Sequence, residues 1–185
     1  MDPIVAFQGE RGAFSEAAAG VLVAAPHALL PCAEFGDVVR AVAEGVAHFG
    51  VLPIENLIAG PVVGALDAMA AAPSIERVGE HTLPVRLALL GVPGSALDAI
   101  RRVLSHPVAL RQCTHFLAAH PDMQATAAHD TAGAARLVAE WRDPHVAAIA
   151  SSAAAPRYGL TVLAEALEDR ADNATRFVLI RRRSA

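Results

Sequence analysis

Short β-like apolar runs alternate with longer alanine-rich helical runs along nearly the whole chain, and this alternation constrains the fold more than any other feature. An apolar run over 4–7 precedes a glycine turn and a helical pattern over 15–25. The order repeats with strands over 28–31 and 49–53 and helices over 35–44 and 62–71, Gly45 standing where a helix C-cap belongs. After Pro73 the pattern turns extended, over 75–78 and then over 83–90, the second almost wholly apolar as a central strand is. It then resumes with helix over 97–102, strand over 103–105, helix over 109–120 and strand over 123–127. Helix over 131–141, strand over 146–150, helix over 151–158 and final strands over 161–164 and 176–181 complete it. Repeated βα units predict an α/β protein with mostly parallel sheets and helices on both faces. Two such blocks predict two lobes, one spanning about 1–78 plus 172–185 and the other about 79–171, the polar stretch 168–173 being the return crossing. Two lobes joined by two crossings leave a cleft, and clefts of this kind take small molecules.

Composition narrows the function classes. Hydrophobic residues make up 54% and charged residues 18%, so the chain has ample core and no disorder signature. With 42 alanines and only 4% aromatics, that core is built from small aliphatic side chains. There is no lysine; all 15 basic residues are arginine, which excludes lysine Schiff-base chemistry and a P-loop. The net charge is −4 and the arginines are scattered, apart from Arg181-Arg182-Arg183, so no nucleic-acid partner is expected. Cys32 and Cys113 lie far apart and suit a reducing compartment. The N-terminus has no basic n-region before its apolar run, and no apolar stretch reaches the roughly 20 residues that span a bilayer. The expectation is a cytoplasmic protein with no membrane partner.

Polar residues gather where the strands end. Gly9-Glu10-Arg11-Gly12-Ala13-Phe14-Ser15 follows the first strand and opens the first helix, where free N–H groups attract anions; a plain turn with Ser15 as N-cap explains it equally. Pro53-Ile54-Glu55-Asn56 sits past a strand's carboxyl end, the usual place for ligand sites in α/β sheets, or is a solvated loop. Ser105-His106-Pro107, followed by Gln112-Cys113, occupies the same kind of position in the second half. So does His129-Asp130-Thr131-Ala132, in which Asp130 or Thr131 serves as a helix cap. None of the eight histidines forms a His-x-x-x-His or His-Glu-x-x-His spacing, and Cys113-x-His115 is too small a set for a closed site, so no metal is expected. There is no Gly-x-Ser-x-Gly elbow. Asn173-Ala174-Thr175-Arg176-Phe177 is the most distinctive segment, a polar start to an apolar strand.

Taken together and in order, these segments resemble the prephenate dehydratase family, including the related plant arogenate dehydratases. The resemblance covers nearly the whole chain. It runs from Gly9 to Ala19 through Val51-Leu52-Pro53-Ile54-Glu55-Asn56, Leu66-Asp67, Gly79-Glu80 and Leu83-Pro84-Val85. Ser105-His106-Pro107 with Ala109-Leu110 and Gln112-Cys113, Asp130-Thr131-Ala132, Ala148-Ile149-Ala150-Ser151 and Tyr158-Gly159-Leu160 carry it on to Asn173 and Thr175-Arg176-Phe177. The chain departs from the family pattern at Leu57, where serine is usual, at Val108, where glutamine is usual, and at Glu10, where proline is common.

The resemblance implies a periplasmic-binding-protein-like (type II) fold and the cofactor-free conversion of prephenate to phenylpyruvate with loss of carbon dioxide and water. Thr175 takes the place of the family's catalytic threonine, a hydrogen-bond donor to the departing C4 oxygen. Gly12, Ser15, Glu55, Asn56, Ser105, His106, Gln112, Thr131, Ala132, Asn173, Arg176 and Phe177 are implied as substrate-binding. Within this set Arg176 is either a bidentate carboxylate partner or the partner of Glu55 or another acid, and Phe177 is wall and core. The alternatives are arogenate dehydration to phenylalanine, decarboxylation of prephenate without aromatisation, and a non-catalytic small-molecule binding module of the same fold. Family habit adds a homodimer. Family members commonly carry a C-terminal ACT domain that senses phenylalanine; this sequence ends within ten residues of Arg176, so no such domain is expected.

Overall fold

The computed structural model describes residues 2–183. In chain order it forms β1 (Ile4–Gln8), α1 (Phe14–Leu22), β2 (Ala28–Cys32), α2 (Phe35–Ala43), β3 (Phe49–Asn56), β4 (Gly60–Pro61), α3 (Val63–Ala70) and β5 (Ile75–Pro84). Next come β6 (Ala88–Gly91), β7 (Arg102–Ser105), α4 (Pro107–Arg111), α5 (Thr114–Ala119), β8 (Gln124–Ala127) and α6 (Thr131–Trp141). β9 (Val146–Ala150), α7 (Ala154–Tyr158), β10 (Thr161–Ala164) and β11 (Ala174–Arg182) finish the chain. These divide into two compact units, one of Met1–Glu10, Phe14–Pro84 and Ala174–Ala185, the other of Arg11–Ala13 and Val85–Asn173.

The first unit holds a sheet in the order β2-β1-β3-β11-β5, with β4 paired to β3. β1 runs parallel to β2 and β3, whereas β11 runs antiparallel to both β3 and β5. The second unit holds a sheet in the order β10-β6-β9-β7-β8. There β7 is parallel to β8 and β9, and β6 is antiparallel to β9 and β10. The fold is thus α/β in two units, but its sheets are mixed rather than mostly parallel. The right-handed βαβ crossover makes consecutive strands parallel. A strand that returns from a distant part of the chain is free of that rule, and β11 enters against its neighbours.

Both cores are built from small side chains. In the first unit Val38 and Val42 of α2 pack with Ala6, Leu52, Val178 and Ile180 of the sheet. In the second, Ala134, Ala135 and Val138 of α6 pack on Leu104, Ala148 and Ala150. Every residue of β9 is buried, which is why its sequence shows no polar alternation. Gly45 ends α2 in the left-handed region at φ 78°, donating its N–H to Val42 O, as its place in the sequence predicts.

Several element limits differ from the sequence pattern. The extended run over 83–90 is two strands, broken where the Leu87 amide donates to Glu168 Oε2 at 2.9 Å. β5 instead continues to Pro84, paired with Ala174, so the units divide there rather than near 78. The helix expected over 109–120 is two, because Gln112 caps α4 and Asp169 binds the first amides of α5. Residues 97–102 give only a 3-10 turn before β7 begins at Arg102. α1 starts at Phe14, so Ser15 lies inside the first turn rather than at the N-cap.

Gly50, in β3, lies where α2 and β11 leave no room for a side chain. A Cβ there would lie 2.9 Å from both Ile180 Cγ1 and Val38 Cγ1, and 3.0 Å from Val42 Cγ2. Overpacking of this kind typically costs about 1–3 kcal/mol. Gly50→Ala is therefore expected to lower the Tm by several degrees; an unchanged melt would show that α2 shifts freely.

Candidate functional site

In the first unit the end of β3 meets the start of β11. Thr175 stands opposite Asn56, and Arg176 opposite Glu55. Both Asn56 (8% exposed) and Thr175 (9% exposed) are buried. Asn56 Nδ2 donates to Thr175 Oγ1 at 3.0 Å and to the Ala174 carbonyl at 3.1 Å, while its Oδ1 accepts the amides of Ile58 at 3.1 Å and Ala59 at 2.8 Å. This tight turn after the strand is what an Asx residue supplies.

Arg176 has different company. Its Nη2 lies 2.6 Å from Glu55 Oε2 and its Nη1 3.6 Å from Glu80 Oε1. Successive strand residues project to opposite faces, so the Glu55–Arg176 pair occupies one face of the ladder and the Asn56–Thr175 pair the other. Of the two roles open to Arg176, pairing with acids is the one this geometry matches. The pair is more than one-third exposed, so it contributes little to stability and serves mainly to hold the guanidinium in place. Among the described residues the buried Arg176 Nε has no partner. Phe177 is core, 2% exposed, and Ser15 is buried in α1.

In the second unit Ser105 ends β7 fully buried, its hydroxyl donating to the Ile149 carbonyl at 2.6 Å. His106 is the N-cap of α4, and its Nδ1 accepts the Val108 amide at 3.2 Å, so the neutral ring carries its proton on Nε2. Burial above all holds His106 below the ordinary histidine value of 6.5; Asp130 opposes this, and the charges of Arg111 and His129 reinforce it. Gln112 and Asn173 are joined, Asn173 Nδ2 donating to Gln112 Oε1 at 3.0 Å, and the Asn173 carbonyl accepts the Val85 amide.

Asp130, not Thr131, caps α6, its Oδ1 accepting the Gly133 amide at 2.7 Å. Thr131 and buried Ala132 follow in the first turn, where backbone amides have no intrahelical acceptor. Gly12, at φ 88°, also belongs to this unit: a Cβ on it would meet Ala154 Cα at 2.9 Å, and the neighbouring Arg11 carbonyl accepts the Tyr158 hydroxyl at 2.7 Å.

Two acids of the presumed crossing prove to be structural anchors that sequence reasoning missed. Glu168, besides holding Leu87, lies 3.3 Å from Arg86 Nη1. Asp169 accepts the Thr114 amide and hydroxyl and the His115 amide. Burial pushes its carboxyl up, but those hydrogen bonds and the His115 ring outweigh it and hold the value below normal. A Glu-Asp pair in a polar segment signals capping, yet nothing local names targets so far away in sequence. Cys113 is buried and its thiol is pushed up to about 12 by burial first and by the nearby Asp169 and Glu168 charges, so it is no nucleophile. Among the described residues no group of three or more His, Cys, Asp or Glu side chains is arranged to hold a metal ion. A cavity of about 250 Å³ lined by Leu66, Met69, Ile75, Arg77, Ile180 and Arg183 contains none of the residues expected at the site.

The family model for prephenate dehydratase matches residues 5–185. The chain belongs to the prephenate dehydratase family. It is 41% identical over 179 residues to arogenate dehydratase 5, a chloroplastic protein of Arabidopsis thaliana, covering 96% of this chain and 42% of that one. It is 39% identical over 183 residues to a bifunctional N-acyl-homoserine lactone acylase/prephenate dehydratase of Komagataeibacter europaeus, covering 98% of this chain and 64% of that one. The solved prephenate dehydratase of Arthrobacter aurescens in complex with L-Phe superimposes with a TM-score of 0.90 at 32% identity, over 98% of this chain and 61% of that one. This member of the family thus spans under half the length of the plant relative and about three-fifths of the bacterial ones.

The lowered His106 value carries a sign that can be measured. The unfolded chain binds a proton on this ring more readily than the folded chain does. The stability it contributes is therefore complete above about pH 6.5 and lost as pH falls through that value toward the lower folded one. His106→Asn keeps a cap acceptor and removes the titration. The Tm of the parent relative to this variant is expected to fall between about pH 7.5 and about pH 5; parallel curves would count against the assignment.

Proposed function

We propose that this chain converts prephenate to phenylpyruvate, carbon dioxide and water. The observation that carries the reading is the buried Thr175 hydroxyl at the junction of β3 and β11, in a chain that belongs to this family. In the reaction the bond from the ring to its carboxylate breaks and releases carbon dioxide. Its electron pair moves into the ring, and the C4–oxygen bond breaks, so hydroxide leaves and takes up one proton from solvent to become water. Aromatisation drives the change without a cofactor. A threonine hydroxyl is too weak an acid to transfer its proton fully before departure, so Thr175 donates a hydrogen bond to the developing negative charge. Arg176, with Glu55 and Glu80, shapes the surroundings. The substrate-binding roles implied by the family resemblance, those of Asn56, Arg176 and Phe177 apart, belong to the same proposal, as do a cytoplasmic location and a homodimer. Light scattering at micromolar concentration is expected to give twice the chain mass, and a monomeric mass removes the dimer.

The plant relatives, about 40% identical and named arogenate dehydratases, favour a second reading in which arogenate is the substrate and phenylalanine the product. Side-by-side assays with both substrates, reading phenylpyruvate absorbance in alkali and phenylalanine by amino-acid analysis, separate the two.

Variants of Thr175 test the chemistry. Loss of one preorganised donor typically costs about 10²–10³-fold. Thr175→Ala is expected to lose that much in kcat with little change in KM. Thr175→Val keeps the shape but not the donor, and should match alanine. Thr175→Ser keeps the hydroxyl and should retain far more activity. An active valine variant beside an inactive serine one would assign the methyl group, not the hydroxyl. Melts of all three accompany the rates, because Thr175 also opens a buried strand.

A further inference from the structure

The Asn56 amide has only one orientation available. Its Oδ1 faces two main-chain donors, Ile58 N and Ala59 N, and its Nδ2 faces the Ala174 carbonyl. Turning the amide over would set its NH2 against two N–H groups and its oxygen against a carbonyl, so the main chain fixes its polarity. Nδ2 can only donate. In the 3.0 Å contact with Thr175 the hydroxyl oxygen is therefore the acceptor, and the hydroxyl hydrogen must serve some other group. Buried hydroxyls usually give that hydrogen to the backbone, as Ser105 does to the Ile149 carbonyl at 2.6 Å. The carbonyl beside Thr175, that of Ala174, already accepts the Leu57 amide at 2.9 Å as well as Asn56 Nδ2. Accepting a bond also polarises a hydroxyl and strengthens it as a donor.

We infer that Asn56 is a positioning residue: it fixes Thr175 as a hydrogen-bond donor to the leaving oxygen and does not itself contact substrate. This rests on the dehydratase reading above. The main-chain turn at Ile58 and Ala59 holds Asn56, and Asn56 holds the Thr175 oxygen, so the sequence expectation of a substrate contact at Asn56 gives way to an indirect role.

Asn56→Asp tests this with almost no change of shape. One carboxylate oxygen keeps the two amides, while the other accepts the Thr175 hydrogen and withdraws it from the substrate. The expected loss is on the order of 10²-fold in kcat, as for removal of the donor itself, with KM near the parental value. The acid form of the new side chain can donate again, so the variant should recover rate as pH falls, a limb the parental profile lacks. On a Thr175→Val background Asn56→Asp should cause no further loss, because residues acting through one group are not additive. Asn56→Ser buries no charge and gives the same non-additive pattern without the pH limb, which covers a failure of the aspartate variant to fold. Independent, multiplicative losses in the double variant would overturn the inference, as would a raised KM with kcat retained. Parental protein that turns over neither prephenate nor arogenate overturns the dehydratase reading and this inference together. Turnover by the parent with independent losses overturns this inference alone.

Discussion

The pairing of β11 with β3 on one side and β5 on the other is the contact on which the first unit depends. β11 buries Phe177, Val178, Leu179 and Ile180 and supplies two of them, Val178 and Ile180, to the core beneath α2. Its first residues do something different. Thr175 and Arg176 stand at the polar end of the ladder, where the strand's alternation sorts them into separate partnerships with Asn56 and Glu55. One strand thus supplies both core residues and the candidate site, and its register decides which hydroxyl meets which amide. A slip of one residue would exchange the faces and set Thr175 among the acids.

Burial on both sides explains why the candidate chemistry needs so few charged groups. Thr175 and Asn56 form no ion pair, and their alignment comes from main-chain donors and acceptors that cannot rearrange independently of the sheet. The arginine next door lies against two acids, so its guanidinium is held by charges that the sheet itself supplies. Preorganised dipoles of this kind act where charge develops without costing reorganisation at that moment.

Much of this was legible in the sequence. The alternation of strand and helix, Gly45 after α2 and the wholly apolar β9 could be read from periodicity and turn chemistry alone. So could the final strand, whose polar start from Asn173 to Arg176 runs into the apolar stretch from Phe177 to Ile180. What the pattern hid was strand direction, because alternation of apolar residues is the same whichever way a strand runs. The break between α4 and α5 was hidden as well: residues 109–120 are helical by local preference, and the cap that interrupts them, Asp169, lies over fifty residues away. The role of Arg176 stayed open for a similar reason, as Glu55 and Glu80 reach it only through the sheet.

The long return of β11 also bears on how the chain is made. Asn56 and Thr175 lie 119 residues apart, so on a ribosome the first unit emerges with its sheet incomplete and waits for the whole second unit before its penultimate strand exists. Until then β3 and β5 each present an unpaired edge with apolar residues behind it. The second unit meets no such delay, since all its strands lie between Ala88 and Ala164 and the chain supplies them together. Synthesis therefore favours early completion of the unit that comes second, with the first closing only once β11 has emerged.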